Sequence, residues 1–262
     1  VGMGLLCRDN PTPVVMASMW LFWVWMATVL PRLAFYAFNF FGLRRTGLAA
    51  AAAVFAALVI GVTAGRTSLR VSRTEVCSPA LPATFDGLRI VQLSDIHLGT
   101  IVSPERELTR LADRVNALRP DLVLFTGDLV NIRASELDST AVRLLRRIEA
   151  PVYSVTGNHD VGKYIKDSLR HPAAESLREV IARQRAMGWR VLDDETVYLR
   201  RGGDSIALTG LSFDPALSEQ RHDRHLPATG LRRAFAGVPQ GLYSIVLAHV
   251  PQLWEPVSYT HL

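Results

Sequence analysis

Two long uncharged stretches near the start of the chain constrain its fold more than any other feature. No charged residue lies between Asp9 and Arg32, and the run 14–30 is almost wholly apolar. A second uncharged run extends over 46–65. Because a helix that crosses a bilayer needs about 20 apolar residues, both runs are long enough to span one. We therefore predict a membrane anchor over residues 1–65, with transmembrane helices near 14–30 and 46–65.

The aromatic stretch 33–43 between these helices has two interpretations. It is either an interfacial or re-entrant segment, or an extension of the first helix that bends at Pro31. Two alternatives to the anchor stay open: core helices of a globular domain, and a twin-arginine signal that begins at Arg44 and Arg45 and is cleaved near Ala64. Arginines flank both sides of the anchor in similar numbers, so the positive-inside rule favours neither orientation.

The charge distribution argues against a nucleic-acid partner. The 262-residue chain has a formal net charge of +5, but its first 65 residues carry four arginines and one aspartate. More than half of the net charge therefore lies beside the apolar stretches, whereas nucleic-acid binding needs basic residues clustered on a folded face. A hydrophobic content of 49% excludes a disordered chain, and only Cys7 and Cys77 are present, which excludes a disulfide scaffold. The sequence identifies no protein partner.

Beyond a predicted linker at 66–85, short apolar runs alternate with amphipathic ones. The predicted strands lie at 88–93, 121–126, 152–155, 190–192, 196–201, 205–211 and 243–248, and the predicted helices at 104–118, 137–148 and 174–187. Strand–helix–strand units with apolar strands predict a parallel core sheet. The later hairpin, which turns at Gly202 and Gly203, predicts a mixed or second sheet.

Four of the predicted strands are followed by residues of the types that bind metals. In chain order these residues are Asp95, His97, Asp128, Asn158, His159, Asp160 and His249. Sites in open α/β sheets form beyond the carboxyl ends of the strands, so the four clusters are expected to converge. Asp95 and His97 are two residues apart and are expected to point to the same side while the chain stays extended. Carboxylate, imidazole and amide ligands suit Mn²⁺, Fe or Zn²⁺.

Each cluster taken alone also has a structural interpretation. A Gly-Asp pair after a strand is commonly a turn, and a single histidine is commonly a core residue. Their occurrence in order, each after an apolar strand, is what favours a metal site. Lys163 and Lys166, just after the third cluster, are candidate contacts for a substrate phosphate. The charged run 222–225 is interpreted as solvated surface, and Asp214 as a turn residue.

These motifs resemble those of the calcineurin-like metallophosphoesterases. The matching motifs are SDIH at 94–97, GDLV at 127–130, GNHD at 157–160 and AHVP at 248–251. The resemblance implies a metallophosphoesterase domain over 86–256, folded as a four-layer α/β sandwich of two mixed sheets flanked by helices. In this chain that domain would follow the N-terminal transmembrane helices.

The resemblance also implies a site with two divalent metal ions, of which Mn, Fe and Zn are the candidates. Asp95 and His97 would bind the first ion, and Asp128 would bridge both. Asn158 and His249 would bind the second. A carboxylate shared in this way holds two ions about 3.5–4 Å apart, a separation suited to in-line displacement at phosphorus.

Two further residues acquire catalytic roles from the resemblance. His159 would contact the phosphoryl oxygens or protonate the leaving group, and Asp160 would orient His159. Attack on phosphorus would come from a metal-activated hydroxide.

The sequence departs from the family pattern after His249. The family's G-H-x-H motif does not follow, and the chain ends thirteen residues later. We therefore expect the domain to be truncated at its C-terminus and residues 257–262 to be a non-native tail. The chain alone, which would lack one ligand to each metal, is expected to be inactive.

The leading functional hypothesis is a metal-dependent phosphoesterase anchored in a bacterial cell membrane. The resemblance to envelope phosphodiesterases implies a phosphoester substrate that is lipid-linked, such as UDP-diacylglucosamine, or a nucleotide, with the lipid bilayer as a further partner. The alternative is a catalytically inactive scaffold or binding module with the same fold.

Overall fold

The computed structural model describes residues 9–213 and 229–250. By its contacts the chain divides into two compact units, Val1–Thr74 and Glu75–Leu262, and this boundary falls inside the predicted linker. The predictions for residues 214, 222–225 and 257–262 lie outside the described residues.

The first unit contains two long helices. Helix α1 spans Thr12–Asn39, and helix α2 spans Arg44–Ile60 and is continued by a π-helical segment, Gly61–Gly65. Pro31 lies inside α1, so the aromatic stretch extends the first helix to Asn39, as the second of the two interpretations predicted. The helices approach closely at Gly47, where a Cβ atom would lie 2.8 Å from the Phe35 carbonyl oxygen.

Both helices are long and apolar enough to cross a membrane, over Thr12–Asn39 and Arg44–Gly65. Their large apolar side chains are exposed; Trp25, for example, is 55% exposed and Leu33 is 60% exposed. Exposed apolar side chains of this size are typical of surfaces that contact lipid or another protein. The core-helix alternative therefore does not fit, and the anchor and the cleaved signal both remain compatible with these helices.

The second unit begins with a parallel sheet. Its strands are β1 (Ile90–Leu93), β2 (Leu122–Phe125), β3 (Val152–Ser154) and β4 (Arg190–Val191), in the order β1-β2-β3-β4. The helices between them are α3 (Pro104–Ala117), α4 (Ser139–Leu145) and α5 (Ala173–Ala186). All described strand pairs in this sheet are parallel, which confirms the predicted parallel core sheet. The family resemblance implied that both sheets are mixed, and for this sheet that expectation was wrong.

One of two helix starts differs from the expected one. Helix α3 begins at Pro104 as predicted, and the preceding Ser103 backbone N–H donates to Glu107 Oε1 at 3.0 Å. Helix α4 begins after Asp138, whose carboxylate accepts from the Ala141 N–H at 2.8 Å. Because aspartate is a strong N-cap, the helix starts there and not at Leu137.

The second sheet contains β5 (Glu195–Arg201), β6 (Asp204–Leu211) and β7 (Ser244–Ala248). Strands β5 and β6 are antiparallel, while β6 and β7 are parallel, so this sheet is mixed as predicted. The β5–β6 turn has positive φ at both Gly202 (57°) and Gly203 (94°), the conformation that a two-residue type I′ hairpin turn requires. A short helix, α6 (Thr229–Ala234), precedes β7.

The layers follow from the alternation of side chains along β2 and β6. Val123 and Phe125 pack with the helices α3 and α4, whereas Leu124 packs with Leu208 of the second sheet. Leu211, on the opposite face of β6, packs against α6. The order is therefore helices, parallel sheet, mixed sheet, helix, which confirms the expected four-layer α/β sandwich.

The contact between the sheets generates a stability prediction at Gly210. A Cβ atom there would lie 2.2 Å from Leu192 Cβ and 2.9 Å from Val155 Cγ1. We expect Gly210→Ala to lower the free energy of unfolding by about 2 kcal/mol, because extra volume forces a packed core apart. Chemical denaturation in detergent measures this, with Ser205→Ala on the same strand as the control, expected within about 0.5 kcal/mol of wild type. Equal stability of the two variants would contradict the close approach of the sheets.

Candidate metal centre

The four polar clusters meet around the carboxylate of Asp128. Its Oδ2 lies 3.7 Å from His97 Nε2, 3.9 Å from His159 Nε2 and 3.3 Å from His249 Nε2. The contributing loops follow β1, β2 and β3 of the parallel sheet and β7 of the mixed sheet. The Asp128 side chain is only 3% exposed, so its neighbours and not bulk water determine its electrostatic environment.

The loops after β1 and β2 have an unusual backbone. Asp95, His97 and Asp128 all have positive φ (55°, 47° and 61°), a conformation that non-glycine residues seldom adopt. Hydrogen bonds between the loops hold it: the Asp95 N–H donates to the Gly127 carbonyl at 3.0 Å, and the His97 N–H to the Asp128 carbonyl at 3.1 Å. Backbone strain of this kind persists only where surrounding contacts stabilise it, and it is concentrated at functional sites.

Asp95 and His97 were expected to point to the same side because the chain would stay extended, and that reason was wrong. Strand β1 ends at Leu93, and both residues lie beyond it in the left-handed region. The two side chains nevertheless meet, with His97 Nε2 3.4 Å from Asp95 Oδ1.

Two glycines allow the loops after β2 and β3 to touch. A Cβ atom at Gly157 would lie 2.1 Å from Asp128 Oδ1, and one at Gly127 would lie 2.7 Å from the Gly157 nitrogen. No side chain fits at either position without displacing the Asp128 carboxylate or the facing backbone. The glycines of the Gly-Asp and Gly-Asn pairs are therefore a steric requirement of the site.

Asp160 is fully buried and connects the same two loops. Its carboxylate accepts four backbone N–H groups, from Asp128 (2.8 Å), Leu129 (2.9 Å), Val130 (3.1 Å) and Gly157 (2.9 Å). Burial raises the pKa of Asp160 to about 6, while these N–H donors act in the opposite direction by stabilising the charge. The carboxylate is thus ionised at neutral pH and holds the Asp128 loop against the Gly157 loop.

His159 is oriented by a group other than the one predicted. The expected partner was Asp160, but among the described residues the His159 ring nitrogen Nδ1 lies 2.5 Å from the Asn131 carbonyl oxygen. Since Nδ1 donates to that carbonyl, Nε2 is directed toward Asp128. The Glu136 carboxylate in turn accepts from the N–H groups of Asn131 and Ile132 and holds this loop in place.

His249 and Asp128 shift each other's pKa. Burial would raise the pKa of Asp128, but hydrogen bonds from His249 and from the His159 N–H outweigh it, so the pKa is lowered. Burial would lower the pKa of His249, but its hydrogen bond to Asp128 and the charge of Asp128 raise it. The Nδ1 atom of His249 lies 2.9 Å from the Thr126 carbonyl oxygen, which leaves Nε2 directed into the site. A cation bound there would replace the proton of the His249–Asp128 hydrogen bond.

The described residues include two overlapping groups of candidate metal ligands. Potential ligand atoms lie within 4.8 Å of one another in two groups: His97, Asp128 and His159; and Asp95, Asp128 and His249. Asp128 belongs to both groups, and all the donors are nitrogen or oxygen, as Mn²⁺, Fe and Zn²⁺ prefer.

The seven predicted site residues all lie at this centre. Asn158 reaches it through its Oδ1, which is 2.9 Å from His249 Nε2. The sequence analysis missed Asn131, Glu136 and Tyr164, the last of which packs on the His159 ring with 4.2 Å between ring centroids. Asn131 acts through its backbone, which no residue type reveals, and neither Glu136 nor Tyr164 belongs to a recognisable motif.

Comparison with known proteins identifies the family of this chain. Residues 88–261 match the family model described as Calcineurin-like phosphoesterase, and the chain belongs to that family. Members of this family typically bind divalent metals, and the chain carries the candidate ligands described above.

Two curated relatives and one solved structure illustrate the similarity. A Danio rerio protein named "Transmembrane protein with metallophosphoesterase domain" is 39% identical over 103 residues, which are 39% of this chain and 23% of that protein. The UDP-2,3-diacylglucosamine pyrophosphatase LpxG of Chlamydia muridarum is 31% identical over 117 residues, 44% of this chain and 35% of that protein. The phosphopantetheinyl hydrolase PptH of Mycobacterium tuberculosis shares 15% identity, with a TM-score of 0.41 over 66% of this chain and 72% of that one. The chain thus spans 23% to 35% of the length of the two curated relatives.

The four backbone bonds of Asp160 generate the second prediction. In Asp160→Asn the amide NH₂ would face two backbone N–H donors, and a buried donor without a partner costs about 1–3 kcal/mol. We expect the free energy of unfolding to fall by about 2 kcal/mol or more and Mn²⁺ binding to weaken, because the Asp128 loop loosens. Denaturation and calorimetric titration measure the two effects.

The matched control is Asp193→Asn, at an exposed carboxylate that accepts only from the Ser212 hydroxyl among the hydrogen bonds described. It should leave both stability and Mn²⁺ affinity close to those of wild type. An Asp160→Asn variant as stable as this control would contradict the role assigned to Asp160.

Proposed function

We propose that this chain carries the catalytic site of a dimetal-dependent hydrolase of phosphate esters, a phosphodiesterase anchored in a bacterial cell membrane. The observation that supports it most directly is the buried Asp128 carboxylate, which is common to both groups of candidate ligands. A shared carboxylate is the arrangement expected where two cations clamp the oxygens of a phosphoryl group.

The ligand roles in this proposal are those that the family resemblance implies. Asp95 and His97, in contact with each other, would hold one cation. Asn158 and His249, also in contact, would hold the other, and Asp128 would be shared. The candidate ligand atoms also group as His97 with His159 and as Asp95 with His249, and Asp128 is common to both of these groups. When bound, such cations supply Lewis acidity, lower the pKa of water and neutralise charge on the phosphoryl oxygens.

His159 is the proton donor in this proposal. Its Nδ1 is held by the Asn131 carbonyl, so the protonated ring presents Nε2–H toward the reacting group. A leaving alkoxide needs a proton, and a donor fixed in orientation supplies it without reorganising. Asp160 contributes by holding the loops that carry Asp128 and His159, since its carboxylate bonds the backbone of both.

The substrate we propose is a lipid-linked phosphate ester. The two apolar helices would keep the site near a bilayer. One relative is named for hydrolysis of UDP-2,3-diacylglucosamine, and another is named as a transmembrane protein. A site held near lipid headgroups favours a substrate that resides in the bilayer over a soluble nucleotide.

The proposed activity is tested with the protein expressed from its whole gene. Hydrolysis of bis-p-nitrophenyl phosphate should require added Mn²⁺ and should fall by about 100-fold or more in Asp128→Asn, because the bridging charge is lost. The control is Asp113→Asn on helix α3, where an exposed carboxylate pairs with Arg147 and the rate should not change.

Each outcome of this experiment decides between hypotheses. Metal-dependent turnover that survives Asp128→Asn would contradict the assigned site. A folded protein with no turnover and no Mn²⁺ binding would support the inactive scaffold. Faster hydrolysis of a lipid-linked phosphodiester than of a cyclic nucleotide would support the proposed substrate class, and the reverse order would contradict it.

A further inference from the structure

Tyr164 touches both the candidate ligand Asn158 and the candidate proton donor His159. Its hydroxyl oxygen accepts from Asn158 Nδ2 at 3.0 Å. Its ring lies on the His159 imidazole, with 4.2 Å between centroids and 33° between the planes. Among the contacts described for residues 9–213 and 229–250, Tyr164 is the side chain that touches both of these residues, and it belongs to none of the family motifs.

The hydroxyl contact engages the Nδ2 end of the Asn158 amide. An amide has one end that accepts and one that donates, and only the oxygen can bind a cation. With Nδ2 donating to Tyr164, the Oδ1 atom is directed to His249 Nε2 at 2.9 Å. A tyrosine hydroxyl can bond either end of an amide, so Tyr164 fixes the position of the side chain, and the observed orientation is the one that turns the oxygen toward the site.

The ring contact restricts His159 from one side. The His97 imidazole lies edge-on to it, with 4.5 Å between centroids and 79° between planes, and the Asn131 carbonyl fixes Nδ1. Tyr164 packs against the same ring at a tilt of 33°, so rotation of His159 away from the centre would displace Tyr164.

We propose that Tyr164 is a positioning residue that presents the Asn158 oxygen to the second cation and holds the His159 ring in its reactive orientation. This inference rests on the proposed metal centre. Tyr164 acts through these two residues and is itself 41% exposed, so replacing it is expected to leave the fold intact.

The first test is Tyr164→Phe, which keeps the ring and removes the hydroxyl. Calorimetric titration with Mn²⁺ should show the affinity of one of two sites weakened by about 10-fold or more, the effect expected when the partner of a metal ligand is removed. The control is Tyr198→Phe on strand β5, where the tyrosine is 42% exposed and its hydroxyl donates to the Gly237 carbonyl. Its Mn²⁺ affinity should equal that of wild type.

A second pair of variants tests whether Tyr164 acts through Asn158. Asn158→Ala removes the amide that the Tyr164 hydroxyl contacts. In the Asn158→Ala background, Tyr164→Phe should change Mn²⁺ affinity by less than about 2-fold, a loss of coupling that a purely structural role would not produce.

The outcomes distinguish this inference from the function on which it rests. Equal Mn²⁺ affinity of wild type and Tyr164→Phe would overturn the inference while the metal centre stands. An equal loss in the Asn158 and Asn158→Ala backgrounds would overturn the positioning role. A wild-type protein that binds no Mn²⁺ would overturn the metal centre itself.

Discussion

The bond network of the buried Asp160 carboxylate is the interaction on which the rest of the site depends. Removing a carboxylate from solvent costs free energy, and here burial raises the pKa of Asp160 to about 6. Four backbone N–H groups offset that cost, because hydrogen bonds to a charged acceptor are strong. Those donors belong to the loops after β2 and β3, so one side chain sets the distance between Asp128 and the Asn158–His159 pair.

Close approach of the backbone is the second constraint, and it explains why the site combines glycines with strained polar residues. Gly157 lets the Asp128 carboxylate lie where a Cβ atom would otherwise be, 2.1 Å from Oδ1. Asp95, His97 and Asp128 adopt positive φ, and bonds between the loops offset that strain. The two sheets supply the rigid frame, since the β1–β3 loops come from one and His249 from the other.

The sequence predicted the elements that depend on local pattern. The run 121–126 became β2, and the hairpin turned at Gly202 and Gly203. The four strand-end clusters converged, three from the parallel sheet and the fourth, His249, from β7 of the mixed sheet. It did not predict the partners of His159, because a backbone carbonyl such as that of Asn131 has no signature in residue type. The contact of Tyr164 with Asn158 was missed because a loop conformation, and not a motif, produces it.

The most direct test of the central claim, that Asp128 is shared by two cations, is electron paramagnetic resonance of Mn²⁺ bound to the protein expressed from its whole gene. We expect two Mn²⁺ ions per chain at saturation and the spectrum of a spin-coupled pair. In Asp128→Asn the spectrum should become that of isolated ions. A single bound ion, or two ions with no coupling in the wild-type protein, would contradict it.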